Sequence, residues 1–276
     1  MAISNFIPTI WSETLYTELD KKYIAVANSN RDFEGDIKEK GSVVKICGVG
    51  EVSVDNYTKN TDMSIPQDLS DTVVELAIDQ AKYFNFQIDD IDKAQCTPKL
   101  MEAAMKVAAS GLANSADAYI YNLAAQAQTK IEVTDTAANL IDYILKARTI
   151  LYKNNVADAS DIVVEVSPEV AERLFKEKMN ISTDNVDSVE NGYMGNIAGC
   201  KVYISNNILK NLDCDTEKHS CMVRTKRAIA FAEQLSEINA YRPERRFADA
   251  VKGLYLFGAK IVYPQELVVL DVTVNN

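Results

Sequence analysis

His219 is the only histidine in the 276 residues, so any histidine base or Ser-His-acid relay would have to use it. Ser220, Asp213 and Asp215 are near it in sequence but form no nucleophile-elbow signature, and a surface-loop histidine is the favoured reading. Cys214-x4-His219-x-Cys221 offers three zinc ligands, with Cys200 as a conceivable fourth, at a spacing that matches no common structural zinc pattern. If these are only loop residues, replacing Cys214, His219 and Cys221 together should leave folding nearly unchanged. Asp89-Asp90-x-Asp92 has the oxygen chemistry for Mg²⁺ or Ca²⁺. It lies where a strand pattern hands over to a helix, however, and acidic residues there commonly complement the helix N-terminus. Gly48-x-Gly50 is not followed by a helix in a βαβ unit, and Gly192-x-x-Gly195-x-x-x-Gly199 lacks a Walker lysine, so both read as turns. Basic residues gather only at Arg224-Lys226-Arg227 and Arg242-Glu244-Arg245-Arg246, the latter interrupted by acid. No catalytic residue, metal or cofactor is expected, and the chain reads as non-enzymatic.

The elements that would position such residues begin with an unusual pair. Two long strand-like runs, Gly41 to Asp55 and Ser70 to Asp89, are joined by the polar stretch 56–62. At ~3.3 Å per residue each arm reaches roughly 45 Å or more, and an isolated two-stranded hairpin is marginal in water. Something outside the ribbon must cover it, and another copy of the chain is the expected cover. Ahead of the ribbon, Leu15, Leu19, Tyr23 and Val26 suggest a weak helix with Trp11 as its anchor. After it, Thr97 and Pro98 open a helix expected to run to about Gln126, with an inner stripe of Leu100, Ala104, Ala108, Gly111, Leu112, Ser115, Tyr119 and Leu123. Small residues in that stripe would admit a close neighbour.

An alternating α/β pattern follows. A helix is expected over Ala137 to Lys153, a buried strand over Asp161 to Val166, and a helix capped by Ser167-Pro168-Glu169. Asn180 to Asn196 reads as a mobile surface loop, Lys201 to Ser205 and Cys221 to Thr225 as strands, and Lys226 to Leu235 as a helix. Val251 to Tyr263 and Leu267 to Val272 read as terminal strands.

Composition limits the function classes. With 47% hydrophobic and 25% charged residues the chain can bury a sizeable core, and no run approaches the ~20 apolar residues of a membrane helix. The N-terminus has no signal-peptide pattern. Five scattered cysteines suggest free thiols in a reducing cytoplasm, with no structural disulfide expected. A net charge of −11 argues against a tight grip on phosphate backbones.

The order of elements, and the wording of Arg31-Asp32-Phe33-Glu34-Gly35-Asp36-Ile37, Asp55 to Asp62, Ile78 to Phe84 and Asp89 to Gln95, resembles the major capsid proteins of tailed bacteriophages, the Hong Kong 97-type fold, in its coat-protein-like branch. The resemblance spans essentially the whole chain and is sharpest over 31–128. It implies an α+β fold with an N-terminal arm (1–30), an extended β-hairpin loop and its base (31–88), and a peripheral domain with a long spine helix (89–130). An axial α/β domain (131–240) and strands returning to the peripheral domain (241–276) would complete it. It also implies self-assembly through pentamers and hexamers into an icosahedral virion shell in the bacterial host cytoplasm. Scaffolding protein and portal would be the partners, and double-stranded DNA would be enclosed without sequence-specific binding or membrane contact. The arm is short, so no large built-in scaffolding segment is expected. Trp11, Tyr57, Lys59, Asn60, Asp62, Arg242, Arg245 and Arg246 are the candidate inter-subunit contacts. Some capsids of this type carry a lysine–asparagine crosslink, but no residue match assigns one here. A nanocompartment shell enclosing a cargo enzyme, or an acidic metal-dependent enzyme using Asp89, Asp90 and Asp92, are the alternatives.

Overall fold

A computed structural model of the chain describes residues 18–19, 23–33, 43–49, 56, 59, 71–89, 100–134, 139–156, 161–177, 192–197, 199–213, 216–245 and 247–274. Helix α1 (Leu100–Asn122) tightens into a 3₁₀ turn over Leu123–Gln126, the end that its sequence predicts. Rich in alanine and free of proline, it has high intrinsic helicity. Its buried stripe is Met105, Ala109, Leu112, Ala113, Ala116, Ile120 and Ala124, about one residue round the helix from the expected stripe. Gly111 is exposed, and a Cβ there would meet nothing within 4 Å, so it admits no close neighbour. Alanines on every side leave the periodicity weak, and Met105 and Ile120 decide which face is buried.

Two sheets lie on either side of this helix and the arm. Strands β1 (Val43–Val49), β2 (Asp71–Ala77) and β3 (Gln80–Asp89) precede α1, and β4 (Thr129–Val133), α2 (Leu140–Lys153), β5 (Val163–Val166) and α3 (Pro168–Glu177) follow it. The chain continues through β6 (Tyr193–Ile197), β7 (Cys200–Ile204), β8 (Lys210–Asp213), β9 (Thr216–Arg224), β10 (Ile229–Tyr241), β11 (Ala248–Ile261) and β12 (Leu267–Val274). A seven-stranded mixed sheet has the order β4-β12-β9-β5-β7-β6, with β8 also paired to β9. Its central strands are apolar on both faces, as a doubly covered sheet requires. Cys221, Val223, Val268, Leu270 and Val272 pack with α2 and α3, while Met222, Leu267 and Val269 join α1 and the arm. Asn139 caps α2 by accepting the Ile141 N–H at 3.1 Å, and the Ser167 hydroxyl accepts the Val170 N–H at the start of α3.

The second sheet, β10-β11-β3, turns Phe231, Ile238, Val251, Tyr255 and Phe257 toward α1. On its other face Ala230, Ala232 and Leu256 lie beneath Val44, Ile46, Leu76 and Ile78 of the ribbon and its root. The root is therefore covered by its own chain, and a second copy is not needed there. The return run also breaks in two at Ile78-Asp79: β2 pairs with β1, and β3 pairs with β11.

Two further expectations fail. Lys226 to Leu235 is not a helix: a 3₁₀ turn over Lys226–Ala228 leads into the 13-residue strand β10. The alternation of Ala230 and Ala232 with Phe231 suits a strand squeezed between the ribbon and α1, and this two-sided burial overrides the helical propensity of alanine. Within the segment Asn180 to Asn196, residues Tyr193 to Asn196 belong to β6 and are paired to β7, and 178–191 lie outside the described residues.

Candidate assembly site

Two buried polar joints hold the segment 23–31 against the helix and the sheets. Asp117 of α1 accepts backbone N–H groups of Ile24, Ala25 and Val26 at 3.0, 3.0 and 3.1 Å. Burial pushes its carboxyl up to about 7, against the pull of those N–H donors. From the large sheet, Arg224 of β9 makes a two-pronged pair with Glu165 of β5, Nε to Oε2 and Nη2 to Oε1 both at 3.0 Å. Both side chains are 0% exposed. The remaining guanidinium donors reach the Asn28 and Ala25 carbonyls at 2.5 and 3.0 Å. Burial raises the Glu165 carboxyl, and the Arg224 charge opposes that rise. Backbone atoms of 24–29 are thus clamped between helix and sheet.

The second joint begins one residue earlier. Tyr23 donates to Glu233 Oε2 at 2.5 Å, Tyr255 donates to the same oxygen, and Arg31 pairs with Oε1 at 2.6 Å. The two tyrosine hydroxyls lie 2.7 Å apart. Asn30 adds a parallel bridge, donating to the Ile229 carbonyl at 2.9 Å and accepting from the Phe231 N–H at 2.8 Å. The chain therefore enters the ribbon from a position fixed by β10 and β11. Sequence reasoning missed these pairings, although it named Tyr23 and Arg224, because the partners Glu233 and Glu165 look like ordinary surface charges until the fold brings them together.

His219 is not on a surface loop. It lies in β9, 0% exposed, with Nδ1 2.7 Å from the Ser167 hydroxyl and Nε2 3.3 Å from Glu217. The β8–β9 hairpin extends the strand past Cys221 and carries His219 into the interior. Ser, His and a carboxylate do converge, but Ser167 is also fully buried and its oxygen already caps α3. Cys221 is a buried free thiol that desolvation pushes up to about 12. Replacing these residues would therefore disturb the core, contrary to the neutral outcome expected from the sequence. Cys200 is buried and free as well, while Cys214 lies outside the described residues. Asp89 ends β3 beside Ala248, and Asp90 and Asp92 lie outside the described residues. Among the described residues no group of three or more His, Cys, Asp or Glu side chains is placed to hold a metal ion.

Of the candidate contact residues, Lys59, Arg242 and Arg245 are exposed, and Trp11, Tyr57, Asn60, Asp62 and Arg246 lie outside the described residues. Arg242 and Arg245 lie at the β10–β11 connection beside Phe247, which is 81% exposed. On β3 of the same sheet Tyr83 is 79% exposed. The outward side of the ribbon presents Val43 and Val73, with Lys45 and Glu75 3.9 Å apart. Such large exposed side chains can meet another protein surface.

Neither a protein-family model nor a curated sequence matches the chain. Solved structures do. The chain is similar to one from Mycobacterium phage Che8, with 26% identity, 90% of each chain covered and a TM-score of 0.68. It is similar to the capsid of Ralstonia phage GP4 at 10% identity, covering 93% of this chain and 90% of that one with a TM-score of 0.69. A virus-like particle from Pyrococcus furiosus matches at 10% identity, over 96% and 99% of the two chains, with a TM-score of 0.57. The matches cover 90% or more of this chain, and the chain has the major capsid fold of tailed bacteriophages, the Hong Kong 97-type fold.

Proposed function

We propose that this chain is the structural subunit of a closed icosahedral phage shell, built from pentamers and hexamers of itself around double-stranded DNA. The match to the Che8 chain over 90% of both molecules carries this reading. The architecture supports it: the outward side of the ribbon and the β10–β11 connection expose large side chains while the polar joints are internally satisfied, leaving those surfaces for contact. Each contact can be weak, because symmetry repeats it around the shell and closure makes the sum stable. A charge of −11 suits confinement of DNA better than gripping it. In this reading 1–30 is the arm, 31–88 the extended loop, 89–130 the spine-bearing unit, 131–240 the axial unit and 241–276 the return. Scaffolding protein and portal assist assembly in the host cytoplasm, and the role is structural.

Full-length chain, with and without a scaffolding protein, should form capsomers or shells, visible by light scattering after size exclusion and by electron microscopy. A stable monomer under every condition would defeat the proposal. A second reading, a nanocompartment shell, rests on the likeness in fold to the virus-like particle from Pyrococcus furiosus. Particle contents separate the two: packaged genome, or a cargo protein.

A further inference from the structure

We propose that Gly258, Asp79 and Tyr119 form a fulcrum that sets the angle at which the β1–β2 ribbon leaves the body, and through it the curvature at which subunits meet. The curvature part rests on the shell reading; the fulcrum itself does not.

The chain changes sheets within two residues. β2 ends at Ala77 in the ribbon, and β3 begins at Gln80 beside Phe257 of β11. Between them, Ile78 and Asp79 cross from the open edge of one sheet to the face on which the ribbon lies. Directly under the crossing is Gly258. A Cβ there would lie 3.1 Å from the Ala77 carbonyl carbon and the Ile78 Cα, and closer still to the Ala77 oxygen, against 3.4 Å or more for ordinary contact. These are backbone atoms, so no side chain can swing aside. Ala232 is the partner of Gly258 across the β10–β11 ladder, so the bed under the crossing is small on both strands. Leu76 and Ile78, both 0% exposed, fill the space around it.

The crossing is tied from the opposite side as well. The Tyr119 hydroxyl of α1 donates to Asp79, 3.0 Å from Oδ1 and 3.2 Å from Oδ2. The Tyr119 ring is held edge-on to Phe257, with centroids 5.6 Å apart and planes at 80°. Phe257 immediately precedes Gly258, so the ring that steadies the tether and the bearing surface are neighbouring residues of one strand. Gly258 limits approach and Tyr119 limits departure, and with the near half of the ribbon bedded through Val44, Ile46 and Leu76 on Ala230, Ala232 and Leu256 the ribbon is left one angle. The paired part of the ribbon is seven residues long, roughly 23 Å, so a turn of about 5° at the root moves its far end by about 2 Å. A shift of that size is enough to spoil a close-packed contact, and closed symmetry repeats the error at every copy.

The test uses full-length chain carrying Tyr119→Phe, Asp79→Ala or Gly258→Ala. Hydrogen exchange of the unassembled protein should become several-fold faster for amides of 76–82 and stay unchanged in β4 and β12. Under conditions that assemble wild type, the variants should give fewer closed particles with a wider spread of diameters, while their melting stays cooperative. If Gly258→Ala does not fold, Tyr119→Phe, which loses one hydroxyl, decides. Unchanged exchange overturns the fulcrum whether or not particles form. Faster exchange with wild-type yield and diameter overturns its link to curvature. Absence of wild-type particles defeats the shell reading, and exchange still judges the fulcrum.

Discussion

Arg224 is the bulkiest of the fully buried side chains, and its charge is tolerated only because Glu165 and the arm carbonyls absorb its donors. Removing one member of such a pair leaves a buried charge uncompensated, at a cost of about 3–5 kcal/mol, whereas apolar replacement of both can be nearly neutral. Arg224→Met should therefore lower Tm by roughly 6–10 °C, at about 2 °C per kcal/mol for a chain of this size. Arg224→Met with Glu165→Met should regain a good part of that loss in the same melting experiment. Asp117 adds a pH signature. Its native carboxyl is held near 7 against an ordinary value of 3.8, so the native state keeps a proton that the unfolded chain releases. Its contribution to stability is then fully present below about pH 4 and is lost as pH rises through about 7. Asp117→Asn does not titrate, so wild type should lose Tm relative to this variant between about pH 4.5 and 7.5; a widening advantage for wild type would contradict the assignment.

Among the elements, α1 separates propensity from packing. Gly111 is exposed with open space around its Cβ position, so Gly111→Ala should stabilise by up to about 1 kcal/mol, a rise of 1–2 °C in Tm. Five residues on, Ala116 is 0% exposed in the core, and Ala116→Leu should cost about 1–3 kcal/mol through overpacking. Equal effects at both positions would mean that the buried stripe has been misplaced. The ribbon and β10 make the related point for strands. The alternation of Val74, Leu76 and Ile78 is readable in the chain, whereas the Ala-Phe-Ala-Glu run of β10 reads as helix until the ribbon and α1 are laid against its two faces.

For the molecule as a whole, charge opposes assembly while the exposed apolar residues favour it. Each copy carries −11, and the Debye length falls from about 10 Å at 0.1 M salt to 3 Å at 1 M. Raising NaCl over that range should lower the protein concentration at which light scattering first reports particles. If high salt dissolves particles instead, ion pairs at Arg242 and Arg245 carry more of the contact than Phe247 and Tyr83 do.

The sequence by itself determined the ribbon, the spine helix ending at Gln126, the capped helices α2 and α3 and the terminal strands. Each is written in local periodicity or in a cap such as Ser167. It also carried the family likeness that the solved capsid structures bear out. Tertiary structure alone decided which face of α1 is buried, that β10 is a strand, and that His219 is interior. It alone paired Arg224 with Glu165, 59 residues apart, and Tyr23 with Glu233, 210 residues apart. Those outcomes depend on what approaches a residue from elsewhere in the chain, and no local pattern of spacing or propensity encodes the identity of a distant neighbour.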